Sequence, residues 1–482
     1  MKRSFTHPIA LLSPGSRLAL ASTLTALLGL AGCGSLAPDY KRPALPVAPQ
    51  FSHGASPKPA ADGAALLKAT PFEGDAALKP LLEMAVANNR DLRVAALNID
   101  VARAQWGVRQ ADLLPNVNLG VGGTRQASAS GSLSSNYTAG LSLTAIPAYE
   151  VDVFSRLRNL SDTARAQFLA SEEARKTVHM SLLASVASTF AAWQSDTALL
   201  ALTDKTLATR EATVKLLQLR FDQGASALQD LRAAQSLLAA ARVTRAQLQR
   251  QQWQDENALT LLVGQPLPAG LLKMPQTAPG DWQPQRWAEP PVGLPSDVLL
   301  ARPDVAQAEY QLQAANANIG AARAAFFPKI TLTSSLGRAS SDLGQLFQSG
   351  PTAWSFGAQI LQPIFDAGRN ESNLKIAQAS RAIAQAQYEK TVQTAFREVA
   401  DALAARATLQ DQWAAQTAQT QAEQDRHRLA QLRYQQGASS YLEVLDAERA
   451  LFAAQQALIQ VQTQYAQNTV NLYRALGGGW AP

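Results

Sequence analysis

Leu432–Arg449 reads LRYQQGASSYLEVLDAER, and Leu219–Gln235 reads LRFDQGASALQDLRAAQ. The copies lie 213 residues apart (432 less 219). The same offset sets Asn89-Arg90-Asp91-Leu92 on Arg302-Pro303-Asp304-Val305 and Leu113-Leu114-Pro115 on Phe326-Phe327-Pro328. It also sets Ser155-Arg156 on Gly368-Arg369 and Val263-Gly264 on Leu476-Gly477. One ungapped offset therefore aligns 81–264 with 294–477, and the chain reads as a duplication.

Each half reads as helix, strand, loop, strand, very long helix, turn, helix. Neither Gly nor Pro occurs between Pro147 and Gly224, or between Gly368 and Gly437. Such a run predicts an unbroken helix. A helix of about 65 residues is roughly 100 Å long, so it must pack along other helices. Leu182, Val186, Phe190 and Trp193 fall at helical spacing and read as a core stripe. Strands are predicted at 116–123 and 137–146 in the first repeat (78–264), and at 329–338 and 353–362 in the second (294–477). Each alternates with period two, a pattern shared by membrane barrels and half-buried soluble sheets. Four strands cannot close a barrel, and an open sheet edge in lipid leaves backbone groups unsatisfied. Strands that span a membrane here require several chains. The other reading is a small soluble sheet packed on the helices.

The N-terminus reads as an address. Lys2, Arg3 and Arg17 precede the apolar LALASTLTALLGLAGC, so 1–32 is expected to be a signal peptide. Its end, Leu30-Ala31-Gly32-Cys33, looks like a lipobox, with the chain's one cysteine at the position that takes the lipid. The plainer alternative is a lone buried Cys after an ordinary signal. Gly34 rather than Asp follows Cys33, which by resemblance to other lipoproteins directs the chain to the outer membrane. Acyl chains anchor; they do not make a pore.

Composition excludes several functions. The net charge of +6 includes those three leader cations, and no basic run marks a phosphate-binding patch, so no nucleic acid is expected. One Cys rules out a zinc ribbon. His7, His53, His179 and His427 share no ligand spacing, so no metal site is expected. Nothing resembles a nucleophile elbow or a phosphate loop, and no catalytic residue is proposed. A periplasmic adaptor, also lipidated and helical, should carry one helical hairpin between β-rich halves; this chain has two hairpins. Arg302-Pro303-Asp304 reads as a helix start, with Pro in the first turn.

Several motifs carry a family resemblance: PDYKRP after Cys33, LPSDVLLARPDVAQAEYQLQAANANIGAARAAFFPKITLT from Leu294 to Thr333, PIFDAGR from Pro363 to Arg369, and GASSYLEVLDAERALFAAQQ. With them the chain resembles the outer-membrane efflux channels of the TolC and OprM type. It looks like their NodT-like lipoprotein branch, which serves resistance–nodulation–division pumps. Ser155 departs from the family's more usual Gly. The resemblance implies a mainly α fold with transmembrane β, four strands per chain forming a trimeric 12-stranded β-barrel, and a long periplasmic α-helical barrel. It makes 33–77 a lipidated equatorial segment and the Pro-rich 265–293 an equatorial connector, with 478–482 a short tail. It implies a homotrimer working with a periplasmic adaptor and an inner-membrane pump of that type, without a cofactor beyond the lipid. The transported class would be drugs or small toxic solutes; protein secretion of type I or metal-ion efflux are the alternatives.

The repeated phrase has a plain reading and a functional one. Gly224 and Gly437 end long helices, and Ser226 with Gln229, or Ser440 with Glu443, fit a capping box. By resemblance, Arg220, Gly224 and Ser226, with Arg433, Gly437 and Ser439, are the positions that dock the adaptor. The halves differ below the turn. There Leu442, Glu443 and Asp446 match the family's pore constriction, where carboxylates would form acidic rings that attract cations. Tyr434 and Asp230 match the pair that holds the tip closed. Glu443 remains readable as a helix cap.

Overall fold

The computed structural model describes residues 34–51, 75–129, 135–272, 282–284, 287, 295–340 and 352–478. The leader and Cys33 lie outside them. The first repeat contains α1 (Leu78–Asn88), α2 (Arg90–Ala111), β1 (Asn116–Ala129), β2 (Ser135–Val151), α3 (Arg156–Asp222) and α4 (Leu228–Val263). The second contains a 3₁₀ turn (Ser296–Ala301), α5 (Pro303–Ala324), β3 (Lys329–Ser340), β4 (Ala353–Leu361), α6 (Arg369–Gln435) and α7 (Tyr441–Ala475). Helices α3 and α6 each run 67 residues, as the absence of Gly and Pro allows. Among the described residues no helix is long and apolar enough to cross a membrane.

The chain divides into two compact units. Among the described residues the first holds 34–43, 100–170 and 309–387, and with them all four strands. They form one antiparallel sheet in the order β1-β2-β3-β4. The register lines up Leu119, Ala145, Leu336 and Trp354 in a row across it. Val117, Leu119, Val121, Trp354, Phe356 and Ile360 are all exposed on this chain. The sheet is open at β1 and β4, so both apolar area and edge hydrogen bonds call for further strands.

The strap after Cys33 is fastened along α5. Arg323 donates to the Leu36 carbonyl (3.0 Å), Asn316 to that of Pro38 (2.7 Å), and Arg42 to Glu309 (2.8 Å). Ser35 donates to Asn159 Oδ1 (2.6 Å). Gly320 lets the strap approach: a Cβ there would lie 2.7 Å from the Ala37 nitrogen.

The ungapped offset slips at the sheet-to-helix corner. Asp152 accepts from the Leu157 and Arg158 amides, and Asp366 from those of Gly368 and Asn370. Leu157 and Asn370 correspond by the offset, yet the capping Asp stands one residue nearer the helix in the second copy. Both corners need a positive φ, supplied by Ser155 (56°) in one and by Ala367 (53°) and Gly368 (81°) in the other.

The second unit comprises Ala44–Ile99, Ser171–Ala308 and Tyr388–Pro482. Its largest core packs Leu78, Leu81, Val186, Phe190, Trp193, Leu259 and Val470, so the predicted stripe on α3 is core. Each such side chain contributes about 1.5–3 kcal/mol by leaving water. Two tryptophans of the Pro-rich connector are buried on the helices. Trp282 joins Leu199, Leu202 and Ile459, and Trp287 donates to Asp75 (3.4 Å).

The duplication is visible in a shared buried contact. Asn89 donates to the carbonyl of Leu262, and Arg302, 213 residues on, donates to that of Ala475. Arg302 also pairs with Asp304 (2.7 Å) and Glu398 (2.9 Å), and Pro303 is the first residue of α5.

Candidate functional site

The two turns close in the same way. Gly224 (φ 69°) and Gly437 (φ 70°) take the left-handed conformation that ends a helix. The Ala225 amide returns to the Arg220 carbonyl (2.7 Å), and that of Ala438 to Arg433 (2.8 Å). Both glycines are exposed, with open space where a Cβ would stand. The capping boxes do not form. Helix α4 is capped by Ala227, one residue past Ser226, and Ser440 at the start of α7 makes no capping bond with its side chain. The Ser439 hydroxyl is buried without a hydrogen-bond partner. The turns are held by backbone bonds, which sequence spacing does not report.

Equivalent arginines at the two turns have different partners. Arg220 donates to the Tyr434 hydroxyl and lies over its ring (5.6 Å). Tyr434 meets Tyr441 edge-on at 4.8 Å, and Tyr441 donates to Thr213 (3.3 Å). This Arg220–Tyr434–Tyr441–Thr213 chain ties α3 to α6 and to the start of α7. On one chain, therefore, Tyr434 pairs with Arg220 and not with Asp230, which sits in the first turn of α4. A tyrosine and a carboxylate look complementary in sequence, but the guanidinium one turn above Gly224 reaches the phenol. Arg433 instead pairs with Glu443 (3.4 Å).

The structure brings Leu442, Glu443 and Asp446 together on one wall of a groove of about 990 Å³ between α6 and α7. The opposite wall carries Asp425, Arg426, Leu429 and Arg433. Asp446 is held by Arg449 (2.7 Å) and Arg426 (3.3 Å), and Arg426 also holds Glu423 (2.7 Å). The carboxylates are legible in the sequence and these arginines are not. Arg426 precedes Asp446 by 20 residues, so only the antiparallel hairpin makes them neighbours. Deeper in the helices, Arg210 is buried on Glu448 (3.0 Å) and donates to the Leu237 carbonyl (2.9 Å), locking α3, α4 and α7.

A carboxyl pair lies between α3 and α4. Burial together with the charge of the neighbouring Asp255 pushes Asp196 up to about 7. The described residues hold no cluster of three or more metal-binding side chains.

A family model described as "Outer membrane efflux protein" matches 81–265 and 294–478, which are the two repeats. The chain belongs to that family. It is 46% identical over 471 residues to the antibiotic efflux pump outer membrane protein ArpC of Pseudomonas putida, covering 96% of this chain and 95% of that one. It is equally similar, with the same coverage, to the toluene efflux pump outer membrane protein TtgC of Pseudomonas putida. The open state of the Neisseria gonorrhoeae MtrE outer membrane channel superposes with a TM-score of 0.81 at 34% identity, covering 92% of this chain and 98% of that one. The chain is thus an outer-membrane efflux channel protein of the Gram-negative type, the exit component of a pump. Its four strands and long helices are those of a trimeric channel built from a β-barrel and a helical barrel. The family is one of channels and not of enzymes.

Proposed function

We propose that this chain is the gated exit of a tripartite pump of the resistance–nodulation–division type, expelling small apolar toxic solutes or drugs. The relatives' names, antibiotic and toluene efflux among them, support that substrate class over protein or metal export. The observation that carries the reading is the pair of like-built, exposed turns at the ends of α3 and α6. Three chains would present six of them to a ring of adaptor hairpins. Arg220, Gly224, Ser226, Arg433, Gly437 and Ser439 form that docking face, and Leu442, Glu443 and Asp446 line the constriction behind it. Release of Tyr434 from Arg220 accompanies opening. Cys33 carries the lipid that adds an anchor to the barrel.

A deletion strain tests the function. It should accumulate a lipophilic dye and become sensitive to toluene and to amphiphilic antibiotics, with the wild-type chain restoring both. Unchanged accumulation would contradict the assignment. Mass spectrometry of the mature N-terminus should find a diacylglyceryl group on Cys33, absent from Cys33→Ser.

A further inference from the structure

The acidic ring expected from Glu443 and Asp446 is not an uncompensated one. Among the described residues, the second hairpin pairs four carboxylates with four arginines near its tip. Glu423 and Asp446 share Arg426, Asp446 also holds Arg449, Glu443 holds Arg433, and Asp425 holds Arg428. The distances run from 2.7 to 3.5 Å, and these charges cancel. The network belongs to the second repeat alone. The offset puts Thr213 where Arg426 stands, Ala233 where Asp446 stands and Ser236 where Arg449 stands.

Half-exposed ion pairs of this kind add little to stability. Their effect on a passing ion is another matter. An ion in the constriction senses every charge within a Debye length, about 10 Å at 0.1 M salt. A carboxylate with two guanidiniums on it does not present a bare negative charge to that ion.

We propose that Arg426 and Arg449 are the residues that set the charge selectivity of the channel, by neutralising Asp446 from the same chain. This rests on the reading of Leu442, Glu443 and Asp446 as the constriction. The constriction is then near charge balance. That suits an exit for solutes of mixed charge better than a cation filter does.

Reversal potentials in planar bilayers under a KCl gradient test this with purified wild type, Arg426→Gln/Arg449→Gln, Arg426→Lys/Arg449→Lys and Asp446→Asn. Wild type should discriminate weakly. The glutamine pair should become cation-selective severalfold over wild type, and the gain should shrink at 1 M KCl, where the Debye length is about 3 Å. The lysine pair should return toward the wild-type ratio, and Asp446→Asn should move toward chloride. Asp446→Asn keeps the test decisive if the glutamine pair fails to assemble. A wild type already as cation-selective as the glutamine pair would overturn the inference, as would an Asp446→Asn channel unmoved toward chloride. A wild type that never conducts would overturn the channel reading beneath it.

Discussion

At Gly224 and Gly264 the same left-handed backbone has two different consequences. Gly224 stands in open space, so a methyl there meets only the backbone penalty, about 1–2 kcal/mol. Gly264 (φ 78°) ends α4 against α1, and a Cβ would lie 2.5 Å from the Asn88 carbonyl. Gly264→Ala should therefore lower the unfolding temperature distinctly more than Gly224→Ala, as thermal denaturation in detergent will show. Ser155 is the reverse case. It takes φ 56° without being glycine, where the second repeat has Gly368. Ser155→Gly should stabilise the chain by up to about 1 kcal/mol. The departure from Gly was legible in the sequence, but its cost was not, because the φ it must adopt is set by Asp152 capping α3.

Between elements, buried polar pairs carry the specificity of packing. Arg302 serves the Ala475 carbonyl, Asp304 and Glu398 at once, and is buried. Arg302→Ala should cost about 2 kcal/mol, less than a fully buried pair because both carboxylates reach water. Arg302→Lys should recover little of it, since a single ammonium cannot replace the fork. The Asp196–Asp255 pair between α3 and α4 gives a pH dependence of definite sign. Asp196 titrates at about 7 in the folded chain and at about 4 when unfolded, so the fold binds the extra proton. Its contribution is fully present below about pH 4 and is lost as pH rises through 7. Asp196→Asn should therefore raise the unfolding temperature more at pH 8 than at pH 5. Neither pair could be read from spacing. Arg302 and Ala475 are 173 residues apart. The α3 stripe and the two breaker-free helices were legible because periodicity and absence of Gly and Pro are local properties.

At the scale of the whole molecule, the duplication was the most legible feature, and it leads to the channel. Two copies of one helical hairpin bring like turns to the ends of α3 and α6, while four strands with open edges require partner chains. What the sequence concealed is that the copies are not equivalent at the tip. Arg220 is committed to Tyr434, whereas Arg433 is committed to Glu443. The shared LR-x-x-QGAS thus fixes the backbone of both turns, and the side chains make them different. Cys33 and the leader stand outside the described residues, so their reading rests on the lipobox pattern.

If the proposed function holds, both turns dock one periplasmic partner. In-cell photo-crosslinking from positions 224 and 437 of the full-length chain tests it most directly. Both positions should capture the same periplasmic adaptor, as adducts of equal mass. No adduct from either position, or adducts only with cytoplasmic or outer-membrane proteins, would contradict it.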